Sequence, residues 1–100
     1  MLKHIVMWRF VEGAQGKSRV QHAQYMKEHL EALVGVVPEI ISMEVGVNNT
    51  PSESAYDVVL ISTFENADAL NRYKVHPAHK EVAAYCKEVC ELRADVDYEI

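Results

Sequence analysis

The sequence has little positive charge and no long apolar run. Ten Lys and Arg residues stand against 15 Asp and Glu residues, which gives a formal net charge of -5, and no basic cluster interrupts the chain. Binding to nucleic acid or to an anionic membrane surface requires many Lys and Arg side chains, so we expect neither partner. No apolar run approaches the ~20 residues of a membrane span, and the N-terminal stretch lacks the features of a signal peptide. A cytoplasmic location is therefore expected.

Cysteine, glycine and proline are also scarce, at 2, 4 and 3 residues. The composition, 49% hydrophobic and 25% charged, excludes collagen-like and disordered classes. Cys86 and Cys90 lie four residues apart in a segment with a helical pattern. Their β-carbons would be about 5 to 6 Å apart, which exceeds the roughly 3.5 to 4.5 Å of a disulfide. Reduced thiols are therefore predicted.

The motifs of common catalytic and cofactor sites are missing. There is no glycine-rich phosphate loop, paired CxxC, HExxH or serine nucleophile elbow, so we predict no organic cofactor. His76 and His79 have chelate spacing, but Cys86 lies about 10 Å further along the helix than His79. That distance is too long for one shared ion, so we predict no metal site.

The sequence does contain an alternation of strand and helix patterns. Strands are predicted at residues 3–10, 40–47, 56–64 and 95–100. The first predicted helix runs from Lys17 or Ser18, a candidate N-cap, to near Gly35 with apolar positions at Val20, Ala23, Met26, Leu30, Leu33 and Val34. A second helix opens at Asn66, and Pro77 interrupts it and starts a third segment. The order βαββαβ predicts one α+β domain over residues 1–100, ferredoxin-like, with an antiparallel sheet and all helices on one face.

The predicted strands are apolar on both faces. In the first strand His4, Val6 and Trp8 point one way, and Ile5 and Met7 point the other way. The helices cover only one face, and a chain of 100 residues has a small core of its own. We therefore predict a homodimer in which two sheets pack face to face.

The segment from Tyr73 to His79 concentrates the candidate chemistry. With Pro77 at the first helical position, His76 is the cap and His79 lies in the first turn. The helix N-terminus and partial burial both favour a neutral imidazole, which is what a general base requires. Tyr73 ends the preceding helix and could offer its hydroxyl. In the structural alternative, His76 is only a cap and His79 bonds a backbone carbonyl at the edge of the core.

The remaining histidines have simpler interpretations. His4 shares a strand face with Val6 and Trp8, where a histidine is usually a core residue unless the face lines a cavity. His22 and His29 are predicted on a solvated face of the first helix.

Several segments together are similar to one known family over nearly the whole chain. They are KHIVMWRF, VPEI before EVGVN, YDVVLISTFEN, LNRYKVHPAHKEV and DVDYE, and they resemble the stress-responsive A/B barrel (Dabb) family. The resemblance implies a dimeric α+β barrel. In one branch, the plant polyketide cyclases, a linear polyketide acid is closed by an aldol reaction without metal or organic cofactor. There the residues matching Tyr73 and His79 form the catalytic pair, and the one matching His4 lines the pocket. That branch has a further pocket histidine where Val58 stands here.

Two classes of function follow. In the first, the chain binds a small carbonyl, aromatic or polyketide-like molecule and catalyses cyclase- or lyase-like acid/base chemistry. His79 and Tyr73 would be catalytic, and His4, Trp8 and His76 would bind substrate. In the second, the chain is a non-enzymatic, stress-related binding dimer. A cofactor-independent monooxygenase of the same dimeric fold is a further alternative, with which Trp8 is compatible.

Overall fold

The structure is a computed structural model that describes all residues, Met1–Ile100. Four strands form one antiparallel sheet in the order β2-β3-β1-β4. The strands are β1 (Leu2–Phe10), β2 (Ser42–Val47), β3 (Val58–Phe64) and β4 (Cys90–Glu99), and the helices are α1 (Arg19–Glu31), α2 (Ala67–Val75) and α3 (Pro77–Val89), with a short 3-10 turn at Ala14–Gly16. This arrangement confirms the predicted ferredoxin-like α+β fold. None of the helices combines the length and apolar character of a membrane span.

The two faces of the sheet differ in burial. The inner face carries Val6, Trp8, Leu60 and Phe64, which are buried against the helices. On the outer face Ile5, Ile61 and Val96 lie side by side in register. These outer side chains remain partly or largely accessible. The prediction of two apolar faces with one layer of helices is therefore confirmed.

Helix α1 begins as predicted and ends earlier than predicted. Ser18 accepts a hydrogen bond from the Gln21 amide at 3.2 Å, and the Gln21 side chain accepts from the Ser18 amide at 2.8 Å, which completes a capping box. The helix ends at Glu31, and the chain turns at Gly35, whose φ of 86° suits glycine. The prediction was wrong for two members of the apolar stripe. Val20 and Val34 are 67% and 51% exposed, because one lies on the outer side of α1 and the other in the turn after it.

The break between α2 and α3 follows from His76 and Pro77. His76 has extended backbone angles and its Nδ1 accepts from the Ala78 amide at 3.1 Å, while Pro77 occupies the first turn of α3. The cap predicted for His76 is therefore confirmed.

Strand β4 follows α3 directly and is longer than predicted. It begins at Cys90, immediately after Val89, rather than at residue 95. Residues 90–94 lack strict alternation, yet they pair with the end of β1 through an irregularity at Arg9 and Phe10. Pairing with a neighbouring strand outweighs local propensity here. Cys90 is consequently a strand residue and not helical, and both cysteines are free thiols as predicted.

His22 contradicts the prediction of a solvated helix face. Its side chain is fully buried, its Nε2 lies 3.0 Å from the Ala14 carbonyl oxygen, and its Nδ1 lies 2.5 Å from the Tyr85 hydroxyl. Since a carbonyl can only accept, Nε2 carries the proton and Nδ1 accepts from Tyr85. The ring thus ties the turn after β1 to α1 and α3. The companion prediction holds for His29, which is exposed.

We expect His22→Leu to lower the free energy of unfolding by about 1–3 kcal/mol, because it removes both ring hydrogen bonds and leaves the half-buried Tyr85 hydroxyl without its partner, while the Ala14 carbonyl oxygen still accepts from the Lys17 amide. Urea denaturation would measure this change. Tyr85→Phe removes one of the two bonds and should cost about 1 kcal/mol, and His29→Leu should stay within about 0.5 kcal/mol of the wild type. A His22→Leu protein as stable as the wild type would show that the network is not structural.

Candidate functional site

A cavity of about 340 Å³ separates the inner face of the sheet from α1 and α3. Ten of its 14 lining residues are hydrophobic, a count that includes Tyr73, and the other four are His4, His79, Lys87 and Arg93. An apolar cavity with a few convergent polar groups is the usual form of a small-molecule site. Four of the five predicted site residues, His4, Trp8, Tyr73 and His79, therefore line one cavity.

His79 lies in the first turn of α3 and is half-buried. Its Nδ1 is 3.0 Å from the Lys74 carbonyl oxygen, so Nδ1 carries the proton and the lone pair resides on Nε2. Burial lowers the pKa of His79 below its ordinary value of 6.5, and the positive charges of Lys74 and Arg93 act in the same direction, against the hydrogen bond to the Lys74 carbonyl. A neutral imidazole with one free lone pair is suited to accept a proton at neutral pH.

Tyr73 stands beside His79 and is the least satisfied polar group of the site. Its side chain is 1% exposed, and the hydroxyl has no hydrogen-bond partner. The ring centroids of Tyr73 and His79 are 4.3 Å apart. Burial raises the pKa of Tyr73 far above 10.0, so the hydroxyl keeps its proton and can donate it in a hydrogen bond. An unpaired buried hydroxyl costs free energy that a bound acceptor would recover.

The His4 ring is fixed by a hydrogen bond to Asp97. The His4 Nδ1 lies 2.5 Å from the Asp97 Oδ1, and a carboxylate accepts, so Nδ1 donates and only the Nε2 edge is left for the cavity. The rings of His4 and Tyr73 are 6.4 Å apart. The Ser62 hydroxyl donates to the His4 backbone oxygen at 3.0 Å and fixes this part of β1 against β3.

Asp97 is the site residue that sequence reasoning missed. The alternation in residues 95–100 puts Val96 and Tyr98 on one face, so Asp97 must lie on the other face together with His4. Asp97 and His4 are direct partners in the antiparallel register. The alternation of residues 95–100 therefore indicated which face Asp97 occupies, but only the pairing of β4 with β1 shows that its neighbour there is His4.

The other two predicted binding residues have different positions. Trp8 is 7% exposed and lines the cavity. The structure does not bring His76 to the cavity, since its Nδ1 is engaged in capping α3 and its side chain is not part of the lining. No group of three or more His, Cys, Asp or Glu side chains has the arrangement of a metal site.

The lining residues from the second half of α3 and the start of β4 are Cys86, Lys87, Cys90 and Arg93. Burial raises the pKa of the Cys86 thiol to about 12, and burial also raises the pKa of Cys90. Both cysteines are therefore neutral thiols that act as small, weakly polar wall residues.

Solved structures share this fold over the full length of the chain. A dimeric protein of unknown function with a ferredoxin-like fold, from Bacteroides fragilis, is 33% identical with a TM-score of 0.83, covering 99% of this chain and 95% of that one. A hydroxynitrile lyase from Passiflora edulis is 18% identical with a TM-score of 0.80, covering 99% of this chain and 92% of that one. The second likeness concerns the fold alone.

Sequence comparison agrees with the structural comparison. An uncharacterized protein of Streptomyces coelicolor is 32% identical over 89 residues, which cover 88% of this chain and 89% of that protein. The family model described as the stress responsive A/B barrel domain matches residues 2–100. With nearly every residue matched, the chain belongs to the stress responsive A/B barrel domain (Dabb) family.

Proposed function

We propose that the chain binds a small carbonyl compound in this cavity and catalyses proton transfer at the carbon next to the carbonyl, without a cofactor. One observation carries the proposal: the buried Tyr73 hydroxyl has no partner and stands beside a half-buried imidazole inside an apolar cavity. A carbonyl oxygen is the group that would satisfy this hydroxyl.

In the proposed step, the carbonyl oxygen accepts a hydrogen bond from Tyr73, and Nε2 of His79 removes the proton from the adjacent carbon. The C–H electron pair forms a carbon–carbon double bond, and the carbonyl electrons move to the oxygen, which becomes an enolate. The Tyr73 hydroxyl stabilises this developing charge in a site with few polar neighbours. His79 then returns the proton to the carbon, or the enolate carbon attacks a second carbonyl, as in a cyclisation, and the alkoxide formed there takes the proton from His79.

The other residues have supporting roles in this proposal. Nε2 of His4, fixed by Asp97, would accept a hydrogen bond from a substrate hydroxyl, and Trp8 would supply apolar contact. His76 would act through the start of α3, which carries His79, rather than by touching substrate. The hydroxynitrile lyase neighbour supports lyase-like chemistry on this fold in general.

We further propose that the chain functions as a homodimer joined through the outer face of the sheet. The apolar side chains of that face include Ile5, Met7, Val59 and Ile61, and no helix covers them. The related Bacteroides fragilis protein is described as dimeric. The two free thiols suit a reducing compartment such as the cytoplasm.

The proposal predicts that the wild type accelerates exchange of the α-protons of 2-decanone for deuterium in D₂O. We expect Tyr73→Phe to slow this exchange on the order of 10²–10³-fold, because it removes the donor to the enolate oxygen. Proton NMR of the ketone would measure the rate.

Tyr56→Phe is the matched control, since Tyr56 lies outside this cavity, and it should leave the rate unchanged. Binding of 2-decanone without exchange would contradict the catalytic proposal and favour a binding protein. Equal rates for Tyr73→Phe and the wild type would remove Tyr73 from the chemistry.

A further inference from the structure

The cavity has two polar ends of different character. Uncharged His79 and the Tyr73 hydroxyl mark one end, and two cationic side chains, Lys87 and Arg93, mark the other. Val82 and Cys86 on α3, with Val6 on β1, form apolar wall between these ends. A ligand that uses both ends must therefore be long and apolar in the middle.

Two elements measure the distance between the ends independently. From His79 to Lys87, α3 advances eight residues, or about 12 Å at 1.5 Å per residue. From His4 to Trp8, β1 advances four residues, or about 13 Å at roughly 3.3 Å per residue. Arg93 is the direct register partner of Trp8 on β4, so both estimates describe the same span.

The charges at the far end leave a surplus of positive charge. Arg93 Nη1 donates to Asp95 Oδ1 at 2.9 Å, an ion pair with both side chains nearly half exposed. Lys87 has no acidic partner within salt-bridge distance. Lys87 and Arg93 therefore have only the Asp95 carboxylate between them at this end. Asp97 is bonded to His4 at the other end.

The neighbouring acids do not cancel this surplus inside the cavity. Glu88 accepts from the Gln15 side chain at 2.6 Å, and Glu91 lies 3.4 Å from Arg9. Neither of them lines the cavity. The Arg93 guanidinium retains donors beyond the one used by Asp95, and its planar fork matches a carboxylate.

We infer that Lys87 and Arg93 form a carboxylate-anchoring subsite, and that the substrate class is an elongated keto acid. Its ketone lies at Tyr73 and His79, and its carboxylate lies at the far end. This inference rests on the proposed function, because the ketone position is defined by Tyr73. An extended chain of roughly seven methylene groups between ketone and carboxylate matches the span.

The test compares 9-oxodecanoate with 2-decanone. Both compounds contain a methyl ketone followed by seven methylene groups, but the first ends in a carboxylate and the second in a methyl group. Isothermal titration calorimetry measures binding to the wild type, Arg93→Gln and Lys87→Gln. Each substitution should lower the affinity for 9-oxodecanoate about three- to tenfold, because a charge-assisted hydrogen bond at a half-exposed site is lost. The affinity for 2-decanone should change less than twofold. The shorter 4-oxopentanoate cannot span the cavity and should be insensitive to both substitutions.

Matched controls are Arg72→Gln and Lys80→Gln, which remove exposed cations outside the cavity and should leave both affinities unchanged. If 2-decanone binds and undergoes exchange while the affinity for 9-oxodecanoate is the same in all variants, the carboxylate anchor is wrong and the proposed function stands. If neither compound binds the wild type, the proposed function and the anchor both fail.

Discussion

His79→Gln is expected to slow α-proton exchange of 2-decanone on the order of 10²–10⁴-fold, the usual contribution of a general base. Glutamine retains polarity and approximate size but has no basic nitrogen. Because the imidazole is only half-buried and makes one hydrogen bond to backbone, at Lys74, the folded state should survive the substitution. Deuterium incorporation measures the rate, and circular dichroism with urea denaturation measures the fold.

His29→Gln is the control, because His29 is an exposed histidine that also bonds a backbone carbonyl four residues earlier in its own helix. It should retain the full exchange rate. If His79→Gln loses stability and activity in parallel, or loses neither, the imidazole is structural and the proposed base is wrong.

The same residue sets the expected pH dependence. An imidazole accepts a proton only while neutral, and burial lowers the pKa of His79 from 6.5. Exchange should therefore decline on acidification with a midpoint below pH 6.5. In an unfolded chain the ring protonates nearer 6.5, so acidification through this window also favours unfolding and lowers stability. A midpoint above 6.5 would contradict the role of burial.

Ile61→Lys is expected to convert the proposed dimer into monomers. Ile61 lies at the centre of the outer face with Ile5 and Glu44 as its cross-strand partners. In a monomer the new ammonium group has water on one side and the Glu44 carboxylate beside it, so folding should be retained. In a face-to-face dimer two such charges would be buried, and we expect dissociation to be favoured on the order of 10²-fold or more.

Analytical ultracentrifugation across a dilution series would measure this effect, with the mass falling toward that of one 11.3 kDa chain. Val20→Lys serves as the control, because Val20 is an exposed apolar residue of α1 remote from the sheet. A wild type that sediments as a monomer would refute the dimer, and an Ile61→Lys protein that stays dimeric would place the interface elsewhere.

Local patterns predicted most of the fold because each one depends on neighbours in sequence. Ser18 and His76 cap their helices through bonds to residues two or three positions away, and the apolar alternation of β1 depends on its own residues. The missed features depend on residues far apart in the chain. His22 is buried because Tyr85 and Ala14 supply partners for both ring nitrogens, and residues 90–94 become strand because β1 provides the pairing.

In the candidate site, too, the predicted residues are close in sequence and the missed ones depend on residues far apart in the chain. Tyr73 and His79 were predicted because one short segment holds both of them and the helix break brings them together. Asp97 stayed hidden although its strand face was readable, because its partner His4 is 93 positions away. Lys87 and Arg93 have no distinguishing local pattern, and only the cavity reveals that they share a surface.

The direct junction of α3 and β4 constrains how the length of this chain can vary. No residue separates Val89 from Cys90, and successive strand residues point to opposite faces. One residue inserted there would turn Arg93, Asp95 and Asp97 from the inner to the outer face of the sheet and bring their neighbours to the inner face. Residues 48–57, between β2 and β3, are mostly exposed and can absorb insertions without moving either end of the cavity. Variation in length among relatives with the same chemistry should therefore be confined to that loop, and the junction should keep its length.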